Sequence, residues 1–238
     1  METGKTGKTA LPVGRYLKYA IGEIALVVIG ILIALSINNW NRDRIYNKER
    51  TYLITELLSE FENNLVHIKS VSSGNQDYTL ESDTIIKLLP SLTFPGDEKK
   101  LSELIAGSGV LGFYTYNPST GMMNSMSNTS NFQHINDKSL RRNLLNWSGY
   151  VDDVKENEEM LFSYKSTITD YLSTFVIFGN QEMVSNINIE GGEVKNPLEL
   201  RNRLVYWLTL KFQFLSEIDS LTKKMEETIE QLKQELKN

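Results

Sequence analysis

The stretch YAIGEIALVVIGILIALSINNW, residues 19–40, decides how the rest of the chain is read. Residues 20–37 are apolar or small except for Glu23 and Ser36. From Tyr19 to Trp40 is 21 helical steps, which at about 1.5 Å each gives roughly 31 Å, close to the hydrocarbon thickness of a bilayer. An aromatic stands at each end, so Tyr19 and Trp40 are predicted interface anchors. Lipid offers peptide groups no hydrogen-bond partner, and a lone span must therefore be a helix. A cleavable signal peptide is the competing reading, because the apolar run from Ile24 to Leu35 is short and Ala34-Leu35-Ser36 resembles a small-x-small cleavage site. The polar Asn38-Asn39 with Trp40, and an amphipathic pattern that continues without a break, favour an uncut anchor.

At 100° per residue, Val27, Gly30 and Ala34 fall near the face of Glu23. Small residues let helices approach closely and a carboxyl can hydrogen-bond across the contact, so Glu23, Gly30 and Ala34 are the expected helix-packing residues of the span. The plainer reading is a Glu23 that snorkels to the interface. Lys5, Lys8, Arg15 and Lys18 precede the span and Arg42, Arg44, Lys48 and Arg50 follow it, so basic residues do not orient it. The short N-terminal arm is simpler to retain than some 200 residues. This favours an N-terminus inside and the rest of the chain outside. The chain has no cysteine, which agrees with an oxidising compartment and removes thiolate zinc sites and thiol nucleophiles.

The segment RYLKYAIGEIALVVIGILIALSINNWNRDR, residues 15–44, resembles the N-terminal signature of a Bacteroidetes-type family of small single-pass membrane proteins of unknown function. In that family the phrase YAIGEI-LVVIGILIAL-INNWN is nearly fixed. This chain departs from it with Ser36 where Gln is usual and Arg42 before Asp43, and has Asn128-Thr129-Ser130-Asn131 where a Ser-Ser-Gly element is expected. The resemblance covers about 30 of 238 residues. It implies a single-pass protein of a bacterial inner membrane, so that the inside and outside become a cytoplasmic N-terminus and a periplasmic C-terminal domain, and it supplies no activity, ligand or catalytic residue.

Outward from the span, Ile54, Leu57, Leu58, Phe61, Leu65 and Ile68 repeat at three- and four-residue intervals with Glu56, Glu60 and Glu62 between them, an amphipathic helix. No Pro or Gly separates it from the span, so one helix is predicted from about 17 to about 72, stopped by Ser72-Ser73-Gly74-Asn75. Short helices are expected over 77–89, ending at Pro90, and over 97–106. Val110 to Tyr116 has strand-like composition but no partner strand, and reads as extended chain or loop. Asn117-Pro118 looks like a cap and first turn for a Met-rich segment, and Asp137 like the cap of a helix reaching about 177. After a polar loop holding Gly179-Asn180 and Gly191-Gly192, Asn196-Pro197 launches a final helix. In it Leu215, Ile218, Leu221, Met225, Ile229, Leu232 and Leu236 follow coiled-coil spacing, a possible oligomer seam.

The predicted architecture is all-α: a basic arm (1–18), a transmembrane helix (19–40) continuing into a stalk, and a helical extramembrane domain (41–238) with long antiparallel helices. With 25 Lys+Arg against 30 Asp+Glu the net charge is −5, which argues against a nucleic-acid partner.

Candidate chemistry is sparse. GKTGKT at residues 4–9 lacks the Gly that a phosphate loop needs at position 2, where Glu stands. Asp152, Asp153, Glu156, Glu158 and Glu159 form an acidic run better read as a solvated helix face than as a metal site, with no His at ligand spacing. His67 and His134 have no catalytic companions in sequence. The Met/Ser/Asn stretch 117–131 reads as loop plus short core helix, with a small-ligand pocket as the sharper alternative. The expectation is a noncatalytic, cofactor-free membrane protein whose domain binds a protein partner or a second copy. The alternatives are a proton-coupled, stator-like subunit using Glu23 and a small-ligand sensor.

Overall fold

The computed structural model describes residues 13–106, 108–127, 130–176 and 194–237. Among the described residues six α-helices stand in chain order: α1 Val13–Leu88, α2 Glu98–Ala106, α3 Gly121–Ser127, α4 Lys138–Leu145, α5 Trp147–Leu172 and α6 Pro197–Glu235. No strand occurs among the described residues. The chain divides into two units, Met1–Tyr52 and Leu53–Asn238, and α1 runs through both.

In the first unit every described side chain from Leu17 to Glu49 is exposed, including the whole apolar run. The second unit has its own core, built where α1, α5 and α6 turn their apolar stripes inward. Within it α6 runs antiparallel to α1: Lys233 Nζ lies 3.0 Å from Glu62 Oε1, and Lys69 Nζ lies 2.6 Å from Glu226 Oε1. It is antiparallel to α5 as well, since Asn143 just before α5 bonds Gln231 at 3.1 Å while the Tyr164 hydroxyl donates to the Arg203 carbonyl at 3.2 Å. Phe61 of α1 meets Trp147 at the start of α5 with ring centroids 4.5 Å apart. Three long helices thus share one core, as an antiparallel bundle predicts.

Four expectations need correction. Helix α1 does not stop at Ser72-Ser73-Gly74-Asn75 but absorbs the separate helix expected over 77–89. Asn75 turns its amide Nδ2 back to the Val71 carbonyl at 2.8 Å, a bond a helix tolerates, and the ring of Tyr114 covers Gly74 where a Cβ would collide with it. The helix ends where Pro90 brings no N–H, in a short 3₁₀ turn over Leu89–Ser91. The helix expected from Asp137 to about 177 is divided at Asn146, whose φ and ψ of −91° and 0° leave the α region. Pro118 lies in chain without regular secondary structure, and the Met-rich helix begins later, at Gly121. The seam of Leu215, Ile218, Leu221, Met225, Ile229 and Leu232 is buried in the chain's own bundle, with Leu236 packed against it. Its spacing is used within the chain's own core.

Other readings hold. The Asp137 carboxylate accepts from the Ser139 N–H at 2.6 Å and the Leu140 N–H at 3.1 Å, and Asn196 Oδ1 accepts from the Glu199 N–H at 3.1 Å with Pro197 opening α6. GKTGKT and the loop with Gly179-Asn180 and Gly191-Gly192 lie outside the described residues.

Candidate functional site

The residues from Val110 to Thr120 have no regular secondary structure, yet many of their main-chain groups are held by side chains. Buried peptide groups need partners. With no neighbouring strand to supply them, α1 does so. The Tyr114 N–H donates to Asn75 Oδ1 at 3.0 Å, and Asn75 Nδ2 donates to the Tyr114 carbonyl at 2.9 Å. Asn64 repeats the arrangement with Ser119: the Ser119 N–H donates to its Oδ1 at 2.8 Å and its Nδ2 donates to the Ser119 carbonyl at 2.7 Å. Glu60 then accepts the first free N–H groups of α3, Met122 at 2.7 Å and Met123 at 3.1 Å, where a carboxylate is favoured. From α5, Glu158 accepts the Tyr116 N–H.

The spacing has a geometric reason. Asn64 and Asn75 are eleven residues apart, about 16.5 Å along a helix and roughly 20° past three turns. Tyr114 and Ser119 are five residues apart, about 16.5 Å along an extended chain. A helix carrying Asn at these two positions can therefore read the backbone of an extended segment at two points in register. This segment runs antiparallel to α1, because rising numbers in one meet falling numbers in the other.

The upstream end of the segment is fixed by Lys211 of α6. Only 3% of this residue is exposed. Its Nζ donates to the Tyr78 carbonyl at 3.1 Å, Ser82 Oγ at 3.0 Å and the Val110 carbonyl at 2.9 Å. An ammonium has three N–H bonds to give, and here each has an oxygen. No carboxylate among the described residues is bonded to it, and burial pulls its pKa down to about 7, with Glu81 opposing and Lys165 reinforcing the fall. The Val110 carbonyl also accepts from Trp207 Nε1 at 2.7 Å and Ser82 Oγ at 3.2 Å. The ring of Tyr78 lies against Gly109 and Gly112, where any Cβ would overlap it, and stacks on Tyr114 with centroids 5.3 Å apart. The Tyr78 hydroxyl's pKa is raised, chiefly through its hydrogen bond with Tyr114.

Tyr116 anchors the middle. It is 1% exposed, its ring lies 5.5 Å from that of His67, and its hydroxyl has no hydrogen-bond partner among the described residues. Burial alone raises the pKa of that hydroxyl. Burial likewise raises the pKa of the Glu158 carboxyl, against the lowering effect of the Tyr116 N–H and Lys155.

The residues singled out in the sequence are distributed otherwise. Glu23, Gly30, Ala34, Tyr19 and Trp40 are all exposed on the first unit, and a Cβ at Gly30 would meet open space. In the acidic run Glu158 hydrogen-bonds the segment; Asp152, Asp153, Glu156 and Glu159 are exposed, and no metal-ligating cluster exists among the described residues. Of the Met-rich stretch, Met123 and Met126 are buried, and Thr120, Met123, Asn124 and Ser127 line one side of a cleft of about 210 Å³ whose other wall includes Trp147 and Lys155.

The clamp residues were missed, although the sequence carries a signal for them. Asn64, Asn75 and Ser82 fall in phase with the buried stripe of Ile54, Leu57, Phe61, Ile68, Val71 and Ile85, and Lys211 falls in phase with Leu204, Trp207, Phe214 and Ile218. A polar residue in the apolar phase of a helix implies a buried partner. Glu235 is a further case: 2% exposed, it accepts the Asn136 N–H at 2.6 Å and the Asp137 N–H at 3.2 Å, holding the entry to α4.

Over the apolar part of α1, an 18-residue window with none of its residues buried is long and apolar enough to cross a membrane. Residues 23–175 match a family model described as "Family of unknown function (DUF6090)", which extends well past the N-terminal phrase on which the resemblance rested. No curated protein and no solved structure matches the chain.

Proposed function

The chain belongs to the family of unknown function DUF6090, and we propose that it is a noncatalytic, single-pass membrane-anchored protein whose helical unit binds a protein partner or a second copy. The observation that carries this reading is the contrast in α1: its apolar residues from Leu17 to Ile37 face outward without any core, while the second unit completes a core without them. An apolar surface of that length is stable where lipid replaces water. The buried polar groups of the second unit support the noncatalytic part, because Asn64, Asn75, Ser82, Lys211 and Glu235 are each engaged in holding backbone. Glu23, Gly30 and Ala34 form the face through which the span would pack on another helix. The inner membrane, with the second unit on the periplasmic side, is the location proposed.

Two measurements test it. The full chain, fractionated from cells, is expected in membranes resistant to alkaline carbonate extraction, with a reporter after Asn238 active on the periplasmic side only. Recovery of mature protein in the soluble fraction, beginning at Ile37, would refute the anchor. For the interaction, crosslinking in intact cells is expected to trap the chain in a larger species. A monomer in both cells and mild detergent would remove that half of the proposal.

A further inference from the structure

Where α4 gives way to α5 at Asn146, the second unit leaves the cleft of about 210 Å³ whose other wall is α3. Its floor is apolar: Met123 from α3, Leu144 from the end of α4, and Trp147 and Val151 from the first turns of α5, all buried. Leu145, an apolar residue left 58% exposed, lines it as well. Both walls are held by α1. Glu60 fixes α3 through the Met122 and Met123 N–H groups, and Phe61 packs on Trp147. The space between the walls is therefore built into the fold.

The polar groups around this floor divide into those already used and those left over. Ser127 Oγ donates to the Met123 carbonyl at 2.9 Å, and Asn124 Nδ2 donates to Thr120 Oγ1 at 3.1 Å. Among the described residues Ser148 Oγ has no hydrogen bond, and neither Asp152 nor Lys155 is in an ion pair, although both line the cleft from α5, three residues apart. Lys155 lowers the pKa of Glu158, but that carboxylate is itself occupied by the Tyr116 N–H. A carboxylate and an ammonium group thus border one apolar floor. We propose that this cleft binds a free amino acid with a medium-sized apolar side chain, its α-ammonium group on Asp152, its α-carboxylate on Lys155 and its side chain on the floor of Met123, Leu144, Trp147 and Val151.

Volume and charge select this class together. At about 30 Å³ per water the cleft holds about seven waters, and sites for drug-sized ligands begin at about 300 Å³, so a nucleotide or an oligosaccharide is too large. An inorganic ion would leave the floor uncovered. A fatty acid would leave Asp152 unanswered, and an aliphatic amine would leave Lys155 unanswered. A zwitterion joined to a short hydrocarbon satisfies all three. Waters over an apolar floor find few partners, and replacing them with hydrocarbon favours binding. Met123 is unbranched and adaptable, so one floor accepts leucine or methionine. This site goes beyond the membrane-anchored reading above and does not depend on it.

The full chain in detergent is titrated calorimetrically with L-leucine, with L-methionine as a second probe, and with two leucine analogues that each lack one charge: 4-methylpentanoate has no ammonium group and leucinamide no carboxylate. Leucine is expected to bind, and each analogue at least about fivefold more weakly. Asp152→Asn should weaken leucine by about the same factor and erase its advantage over 4-methylpentanoate, whereas Lys155→Gln should erase its advantage over leucinamide. Asp153→Asn removes an exposed carboxylate that does not line the cleft and should leave binding as in the parent. Asp152 and Lys155 are exposed, so unchanged melting temperatures of the free variants verify that each is folded. No binding of either amino acid up to about 10 mM, no preference for leucine over the two analogues, or a preference that survives both charge substitutions would overturn the proposal.

Discussion

The two parts of α1, residues 17–49 and 53–88, share an uninterrupted backbone and obey opposite rules. In the first, apolar side chains point outward in every direction, and Ile29 and Ile33 in the middle are exposed, as Tyr19 and Trp40 are at the ends. In the second, apolar residues keep three- and four-residue spacing, and Ile54, Leu57 and Ile68 are fully buried. The difference shows that helical hydrogen bonding says nothing about surroundings. The side-chain pattern does: a helix apolar all round needs an apolar solvent, whereas a striped one makes its own core from neighbours.

The sharpest way to break this comparison is to charge the first part. The double substitution Ile29→Lys, Ile33→Lys costs about 2.5–3.5 kcal/mol per site on an insertion scale, enough to abolish stable membrane association. The second unit's circular dichroism and protease resistance should survive unchanged. Loss of the folded unit instead would mean that the two parts are not governed separately.

Next in size is the clamp. Asn75→Ala removes bonds to both Tyr114 backbone groups and should lower stability in denaturant titration by roughly 2–4 kcal/mol, more than Asn64→Ala, because Asn75 is the more completely enclosed of the two. Equal effects would show that the register of the two positions matters less than the bonds at each.

Lys211→Met gives a smaller effect with a distinct signature. The folded pKa of about 7 lies below the ordinary value of 10.5, so between these pH values the unfolded chain holds a proton that the folded chain has released, and stability rises with pH. The substitution is expected to be nearly neutral at pH 6, where losing three hydrogen bonds offsets losing a buried charge. It should then flatten the rise between pH 7 and 9, worth at most about 1.4 kcal/mol per pH unit in the parent chain. An unchanged slope would assign the rise to other groups.

The smallest effect is expected at the surface. Lys69→Ala breaks an ion pair with Glu226 whose side chains are both about half exposed, and should change stability by less than about 1 kcal/mol and less still in high salt.

Much of the fold was legible because helices announce themselves twice, by apolar spacing and by end signals. The Asp137 and Asn196 caps, the break at Pro90 and the lack of helix over Val110–Tyr116 were all readable. Reading Ser72-Ser73-Gly74-Asn75 as a stop failed because local propensity was overridden by a partner 39 residues away: Tyr114 gives Asn75 a use inside the helix and needs Gly74 for its ring. The coiled-coil spacing of Leu215 to Leu236 was real but did not say which helices would fill it. The clamp stayed hidden because its members are ordinary residues, Asn, Ser and Glu, whose meaning depends on their phase within an apolar stripe.

The pairing of eleven helical residues with five extended ones works like a vernier, with two scales of different pitch that coincide only at chosen marks. Inserting one residue between Asn64 and Asn75 would swing one mark by about 100° and slide it by about 1.5 Å, so the marks would no longer meet the same strand. Length changes in that interval are therefore confined to whole repeats of the scale, whereas the outward-facing part of the same helix has no second scale to match.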